Sequence, residues 1–324
     1  MRPSPDGTTA PRRPAAATRP AGEHGGVVLF TDGRDWHLRR LKAAFASRGL
    51  QPVIASLRDV VFDTAARPAV RVPGFDDEVP RAALVRGIAA GSFEAITMRL
   101  GVLHALEASG VAVWNPAGAV ERCVDKSATS LIFAARGLPT PATFVTESRP
   151  RAAAFVADAA GSLVLKPLFG AQGKGIRRID RPEELPEPED IGGVYYLQRY
   201  IAPADGVFRD YRLFVSGGRV VDAMVRESAT WITNVHQGAK PFAYAAPREA
   251  RDLAVAAADS VGATFAGVDL IADGQGGFMV LEVNSMPAWK GLQSVASVDV
   301  ADVLVGDVLA AAGLASRPAL VAAG

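Results

Sequence analysis

Apolar positions along the chain fall into short unbroken runs that alternate with helical stripes. Val27 to Phe30 is apolar throughout and stops at the turn-forming Thr31-Asp32-Gly33. Trp36, Leu38, Leu41, Ala44 and Phe45 then recur at helical spacing up to Gly49, and Pro52 to Ser56 reads as a second strand. Strand, helix, strand predicts an open α/β lobe that continues through the segment around Ala95 to Arg99 and a strand from Val111 to Trp114. Asn115-Pro116 ends that lobe. A helix containing Val120 to Arg136 follows until Gly137 and two prolines stop it. Apolar runs at Ala142 to Val145, Leu163 to Leu165 and Tyr195 to Leu197 predict a small αβ unit. Strands at Asp210 to Val215 and Arg219 to Val225, a helix from Arg248 to Val261 and a final hairpin complete the pattern, which contains no internal repeat. The predicted division is a disordered leader at 1–25, lobes at 26–115, 116–197 and 198–313, and a tail at 314–324.

Composition narrows the class. With 49% apolar and 21% charged residues, 324 residues suffice for an ordinary core in two or three lobes. Thirty-five basic residues face 34 acidic ones, a net charge of +1, so no overall field argues for a nucleic-acid partner and any binding charge is local. No apolar run approaches the ~20 residues that span a bilayer, and the leader lacks the apolar centre of a secretory signal, an Arg-rich, acid-poor organellar transit peptide being the weaker alternative to a disordered leader. The single cysteine, Cys123, excludes an internal disulfide framework and fits a reducing cytoplasm. Its plain reading is a small residue on a helix face.

The most informative stretch is Ala266 to Pro287, AGVDLIADGQGGFMVLEVNSMP. Two apolar strands flank Asp273-Gly274-Gln275-Gly276-Gly277, a hairpin signal. Pairing symmetric about Gln275 and Gly276 sets Asp269 opposite Glu282, and Glu282 and Asn284, two apart, share a strand face. Three oxygen-bearing side chains at one end of an apolar hairpin need a positive partner. A hard cation with oxygen ligands, Mg²⁺ completed by substrate phosphates, meets that need. The alternative is that Asp269 and Glu282 are solvated or bonded to nearby arginines.

The second stretch is Leu163 to Ile176, LVLKPLFGAQGKGI. A strand delivers Lys166 at its end, and Gly170, Gly173 and Gly175 let a loop bring backbone N–H groups to an anion. It is not the G-x-x-x-x-G-K-[ST] loop, because no Ser or Thr follows its lysine. Alone it is also readable as a surface turn. Lys126, in the helix after Asn115-Pro116, and Arg212 and Arg226, alternating with apolar residues in strands, are further candidates for phosphate contact whose ordinary reading is a solvated surface. His37 and His104 read as surface or core residues. His236 lies in the loop Asn234-Val235-His236-Gln237-Gly238, which borders the expected site.

The order of these elements, Asp125-Lys126, LVLKPLFGAQGKGI, Tyr196 to Ile201, Asp210-Tyr211-Arg212, VDLI and LEVN, resembles the RimK-type ATP-grasp ligases from about Val27 to Leu309, with Arg99-Leu100-Gly101 before a helix fitting the N-terminal lobe. The resemblance implies an α/β fold of three lobes, with ATP held between the central and C-terminal lobes. It gives Lys126 and Lys166 to the phosphates, under a closing glycine loop. Gln198, Arg199, Tyr200 and Ile201 become the hinge facing adenine, with Asp210 near the ribose. Asp269, Glu282 and Asn284 would hold two magnesium ions, with manganese as the alternative, while Arg226 and Asn234 steady the transferred phosphate. Arg199 stands where many relatives have Glu, and Ile232 where the ribosome-modifying relatives have Arg.

Such an enzyme phosphorylates a carboxylate with ATP and lets an amine displace the phosphate. This agrees with the absence of a Ser-His or Cys-His set. Trp231 to Gly238 and LEVNSMPAWKGLQ look more like the glutamate ligases that extend one-carbon cofactors such as tetrahydromethanopterin or methanofuran. The expected partners are L-glutamate and a small-molecule acceptor, with Arg99 for a substrate carboxylate and Trp289 and His236 beside the acceptor. Trp289 is equally readable as a plain core residue. A protein or peptide C-terminus as acceptor, a kinase without ligation, a non-catalytic nucleotide-binding module and a homo-oligomer are the readings left open.

Overall fold

The computed structural model describes residues 25–170 and 173–314, so the expected leader, except Gly25, and the tail beyond Leu314 lie outside the described residues. The first elements among the described residues are β1 (Val27–Phe30), α1 (Trp36–Ala46), β2 (Val53–Ala55), the short pair β3 (Val61–Phe62) and β4 (Val70–Arg71), β5 (Ala82–Val85), α2 (Phe93–Ala108) and β6 (Ala112–Trp114). The main strands form a parallel sheet in the order β2-β1-β5-β6. Parallel strands covered on both sides read as continuous apolar runs, and β1 and β5 are buried at every position. Strand β5 was not foreseen. Arg99-Leu100-Gly101 lies inside α2 rather than ahead of a helix.

The helix expected over 120–136 is two helices, α3 (Ala117–Val124) and α4 (Lys126–Ala135). Asp125 divides them by adopting extended backbone and accepting hydrogen bonds from the amides of Ser127 and Ala128, an N-cap. Lys126 therefore opens α4. Next come β7 (Thr143–Thr146), α5 (Arg149–Asp158), β8 (Leu163–Lys166), β9 (Arg177–Ile179) and β10 (Tyr195–Arg199), whose strands form a small antiparallel sheet β7-β10-β8-β9. It has its own core, in which Tyr195 and Leu197 meet Val156 and Leu165.

The last part holds β11 (Phe208–Ser216), β12 (Arg219–Ser228), β13 (Lys240–Ala243), α6 (Arg248–Ser260), β14 (Phe265–Ala272), β15 (Phe278–Asn284), α7 (Lys290–Gln293) and α8 (Val300–Ala311), with an antiparallel sheet β13-β12-β11-β14-β15. Helix α6 buries its alanine face, Ala250, Ala254, Ala257 and Ala258, on this sheet. Ala119 of α3 and Phe133 of α4 join the same core. The expected boundary at 116 is corrected accordingly: α3 and α4 pack with the C-terminal sheet, and the small sheet begins at β7 and extends through Arg199.

Helix α8, also unforeseen, joins the outer lobes. Leu304, Val305 and Val308 are fully buried in one core with Val27, Leu41 and Phe45 of the N-terminal lobe and Phe214, Phe265 and Trp289 of the C-terminal lobe. Asn115, at the end of β6, donates to the carbonyls of Phe265 and Ser285 and accepts from the amide of Phe265 and the hydroxyl of Thr264. Every hydrogen-bonding direction of this fully buried amide is used across the junction. Because one core spans both lobes, Leu304→Ala should destabilise them together. The expected cost is about 2–5 kcal/mol in urea-induced unfolding, with probes in the two lobes reporting one shared transition.

Candidate active site

The final hairpin brings the carboxylates together by a route the sequence did not reveal. Near the turn, Ala272 pairs with Phe278 and Leu270 with Val280, a register centred on Gln275. One extra residue, Leu281, bulges out, so that Asp269 pairs with Glu282. The bulge also lets consecutive residues Leu281 and Glu282 line the same cleft. Asp273 closes the hairpin tip by accepting from the amides of Gln275 and Gly277, while Gly274 and Gly276 supply the left-handed backbone there.

Asp210 and Arg212, two apart on β11, share a face with Arg226 of β12 and Asp269 of β14, to which cross-strand pairing joins them. Arg226 grips Asp210 through Nε and Nη2, each at 2.5 Å, and Nη2 also reaches Asp269 Oδ2 at 2.9 Å. Arg212 grips Asp269 through Nε and Nη2, each at 2.6 Å, and Nη2 stands 4.0 Å from Glu282 Oε1. Thr233 donates to Asp210 at 2.7 Å. Burial alone would raise the Asp269 carboxyl, but the two guanidiniums hold it well below the usual carboxylate range. Glu282 ends this ladder, its side chain 34% exposed and accepting from Asn284 Nδ2 at 3.1 Å.

Opposite stand the lysines. Lys166, at the end of β8, donates to Gln198 Oε1 at 2.6 Å, and Gln198 is held in turn by Thr143 and Tyr196. Lys126 donates to the carbonyls of Leu168 and Gly170, tying α4 to the glycine loop. Burial lowers both ammonium pKa values while Glu282 pulls them back up. The loop turns through left-handed backbone at Gly173 and Gly175, where a Cβ would press on Ile232 and Pro167 at 3.1 and 3.0 Å.

Between the small sheet and the C-terminal sheet lies a cleft of about 350 Å³. Of the sequence-predicted residues, Lys126, Lys166, Gly170, Gly173, Gln198, Arg199, Tyr200, Ile201, Asp210, Arg226, Asn234, Asp269 and Glu282 line it. Gln198 turns its side chain to Lys166 rather than outward. Arg212 and Asn284 stand behind the lining and bond to residues that form it. Two candidates are corrected, and a third lies off the lining. Arg99 donates to the carbonyls of Ala89 and Ala90, so its charge is spent on its own lobe. Trp289 is fully buried, edge-on to Phe214, Phe265 and His37, which is its core reading. His236 is exposed and outside the lining.

Trp231, which meets Tyr200 edge-on, Thr233 and Leu281 line the cleft without having been singled out. An isolated aromatic in a polar loop gives no periodic signal, and a bulge leaves none.

Oxygen donors for a cation are present. Glu282 offers its carboxylate and Asn284 its carbonyl oxygen, while Asp269 Oδ1 accepts one hydrogen bond and retains a lone pair. A hard divalent ion with phosphate oxygens fits this set. Removing the centre of the ladder should be severe: Arg226→Ala should cost about 3–5 kcal/mol in denaturant unfolding, because Asp210 and Asp269 stay buried with less compensation.

Among the described residues, no helix is long and apolar enough to cross a membrane. Residues 123–308 match the RimK-like ATP-grasp domain. The tetrahydromethanopterin:alpha-L-glutamate ligase of Methanococcus maripaludis is 32% identical over 287 residues, covering 87% of this chain and 97% of that protein. Its counterpart in Methanosarcina acetivorans is also 32% identical, over 304 residues, covering 82% and 92%. The solved structure of the ATP-grasp ligase PsnB with minimal precursor, Mg and ADP superposes with a TM-score of 0.70 at 21% identity, covering 90% of this chain and 99% of that one, a likeness of fold. The chain belongs to the RimK-like ATP-grasp family of ligases.

Proposed function

We propose that this ligase uses ATP and magnesium to join L-glutamate, through an acyl phosphate, to a small carboxylate-bearing acceptor of the one-carbon cofactor kind. The observation that carries the chemistry is Glu282: a carboxylate ending a row of paired charges, open to the same cleft as Lys126 and Lys166. The substrate choice draws on relatives named for glutamate transfer to tetrahydromethanopterin, matched over nearly their whole length.

A carboxylate resists an amine because it is anionic and its oxide is a poor leaving group. Attack of an acceptor carboxylate oxygen on the γ-phosphorus of ATP expels ADP and forms the acyl phosphate. Glutamate nitrogen then attacks the acyl carbon, phosphate leaves, and the nitrogen loses a proton. Lys166 keeps two ammonium N–H groups beyond its bond to Gln198, and these offset phosphate charge. Arg226 has Nε and Nη2 committed to carboxylates, so its remaining contribution toward the phosphate is Nη1, and Asn234 lines the same cleft. Two magnesium ions, held through Glu282, Asn284 and the open lone pair of Asp269, would supply further charge neutralisation when bound. The aromatic and aliphatic wall of Tyr200, Trp231, Ile201 and Leu281 suits a purine.

Glu282→Ala should abolish product formation while the protein stays folded, because it removes the ladder's open carboxylate; normal turnover at limiting magnesium would count against the site. Lys166→Ala should weaken ATP binding by about 1.5–3 kcal/mol, one charge-assisted contact, measured by calorimetry. Labelled glutamate supplied with both a cofactor-precursor pool and ribosomal protein should label the small molecule, and label found only in protein would overturn the acceptor class.

A further inference from the structure

The parallel sheet of the N-terminal lobe runs β2-β1-β5-β6, so the connections leaving β1 and β5 diverge at the carboxyl ends of these strands. Crevices at such reversal points are where open α/β sheets bind ligands. Arg86 is the first residue after β5 and stands at that place. Its Nη1 donates to the carbonyl of Pro287 at 3.0 Å, and its guanidinium lies over the Trp289 ring at 4.7 Å. It makes no ion pair with a carboxylate among the described residues, unlike Arg212 and Arg226. Asp35 acts on it only from a longer range and is itself occupied, capping α1 through Leu38 and bonding His37. His37 is no counter-charge to Arg86: its Nδ1 faces Asp35 and its Nε2 accepts from the Trp289 amide, and burial lowers its pKa. Lys290, exposed at the start of α7, adds a second cation nearby.

This cationic point of divergence is tied to the strand that carries Asp269 through Pro287. Pro287, which Arg86 holds, packs on Gly267 so closely that a Cβ there would meet Pro287 at 2.9 Å and Arg212 Nε at 3.7 Å. Pro287 thus links Arg86, which holds it, to the strand that carries Asp269. Burial lowers the Arg86 pKa to about 10 with Asp35 opposing, so the guanidinium stays charged in a poorly hydrated place where a carboxylate is the favoured occupant.

We infer that Arg86 anchors a non-reacting carboxylate of the amine substrate, a dicarboxylic amino acid, at the carboxyl ends of β1 and β5. The inference rests on the glutamate-ligase reading above and assigns to Arg86 the task the sequence suggested for Arg99. The planar fork makes two parallel bonds to a carboxylate, so the site selects an acid over its amide.

The test is calorimetric titration of L-glutamate, L-glutamine and glutamate 1-amide into the full chain saturated with magnesium and a non-hydrolysable ATP analogue. In the parent, one of the two amides should bind about tenfold to a hundredfold more weakly than glutamate, and Arg86→Lys and Arg86→Met should weaken glutamate by a similar factor without changing affinity for the ATP analogue. Equal binding of all three ligands by the parent, or unchanged glutamate binding in the variants, overturns the inference and leaves the ligase reading standing. Parallel loss of glutamate and ATP analogue in both variants assigns Arg86 a structural role and also overturns it. A parent that binds the ATP analogue but no glutamate takes down the glutamate reading together with the inference.

Discussion

Burying charge on the face of a sheet costs several kcal/mol per ion unless each finds an opposite neighbour, and this sheet meets that condition by alternation. Asp210, Arg226, Asp269, Arg212 and Glu282 succeed one another across β12, β11, β14 and β15, acid and base in turn. Three carboxylates meet two guanidiniums, so the row ends with a carboxylate left over. That surplus sits at Glu282, where the row reaches solvent and the two lysines face it from the other side of the cleft. The pairing that stabilises the interior thus also leaves one anionic ligand where a phosphate-bound cation needs it.

The register of the row follows from features of different legibility. Alternation of Asp210 and Arg212 with apolar neighbours, and the spacing of Glu282 and Asn284, are visible in the sequence because a strand face repeats every two residues. The pairing of Asp269 with Glu282 was inferred from a symmetric turn, yet it arises from an offset turn whose error the Leu281 bulge cancels. A bulge has no compositional marker, so the pairing was legible and its cause was not. That arginines pair with these carboxylates stood among the readings of the hairpin, and Asp269 takes it up with Arg212 and Arg226; which arginines would do so was not legible, because β11 and β12 are separated from β14 by a loop and a helix whose path the periodicity leaves undetermined.

Other misreadings share a physical origin. Arg99 was matched to a substrate carboxylate and Trp289, through its likeness to the cofactor-extending ligases, to the acceptor, with a core Trp as the equal reading; but a guanidinium is satisfied by any two carbonyls in reach and an indole by any apolar enclosure. Arg86 went unmarked because β5, the strand it follows, was itself not read from the sequence. Its meaning depends on strand order, with β5 beside β1, a non-local fact. Helix α8 escaped because it is apolar on most sides, buried between two lobes, and so carries little of the two-faced pattern that marks a surface helix.

The use of two kinds of cation follows from where each stands. Guanidiniums have a planar fork that binds both oxygens of a carboxylate at once, and in the sheet they are locked by that geometry. An ammonium on a four-carbon stem has three donors free to reorient, and the lysines occur where the cleft must accept and release a phosphate chain. Lys166 and Lys126 meet only neutral oxygens of Gln198, Leu168 and Gly170. Exchanging those contacts for an anionic oxygen breaks no ion pair, whereas drawing Arg212 or the Nε face of Arg226 toward phosphate would strip a buried carboxylate of its partner. The lysines are therefore the groups whose attraction to nucleotide comes without dismantling the sheet, and the arginines fix the carboxylate frame against which the nucleotide is held.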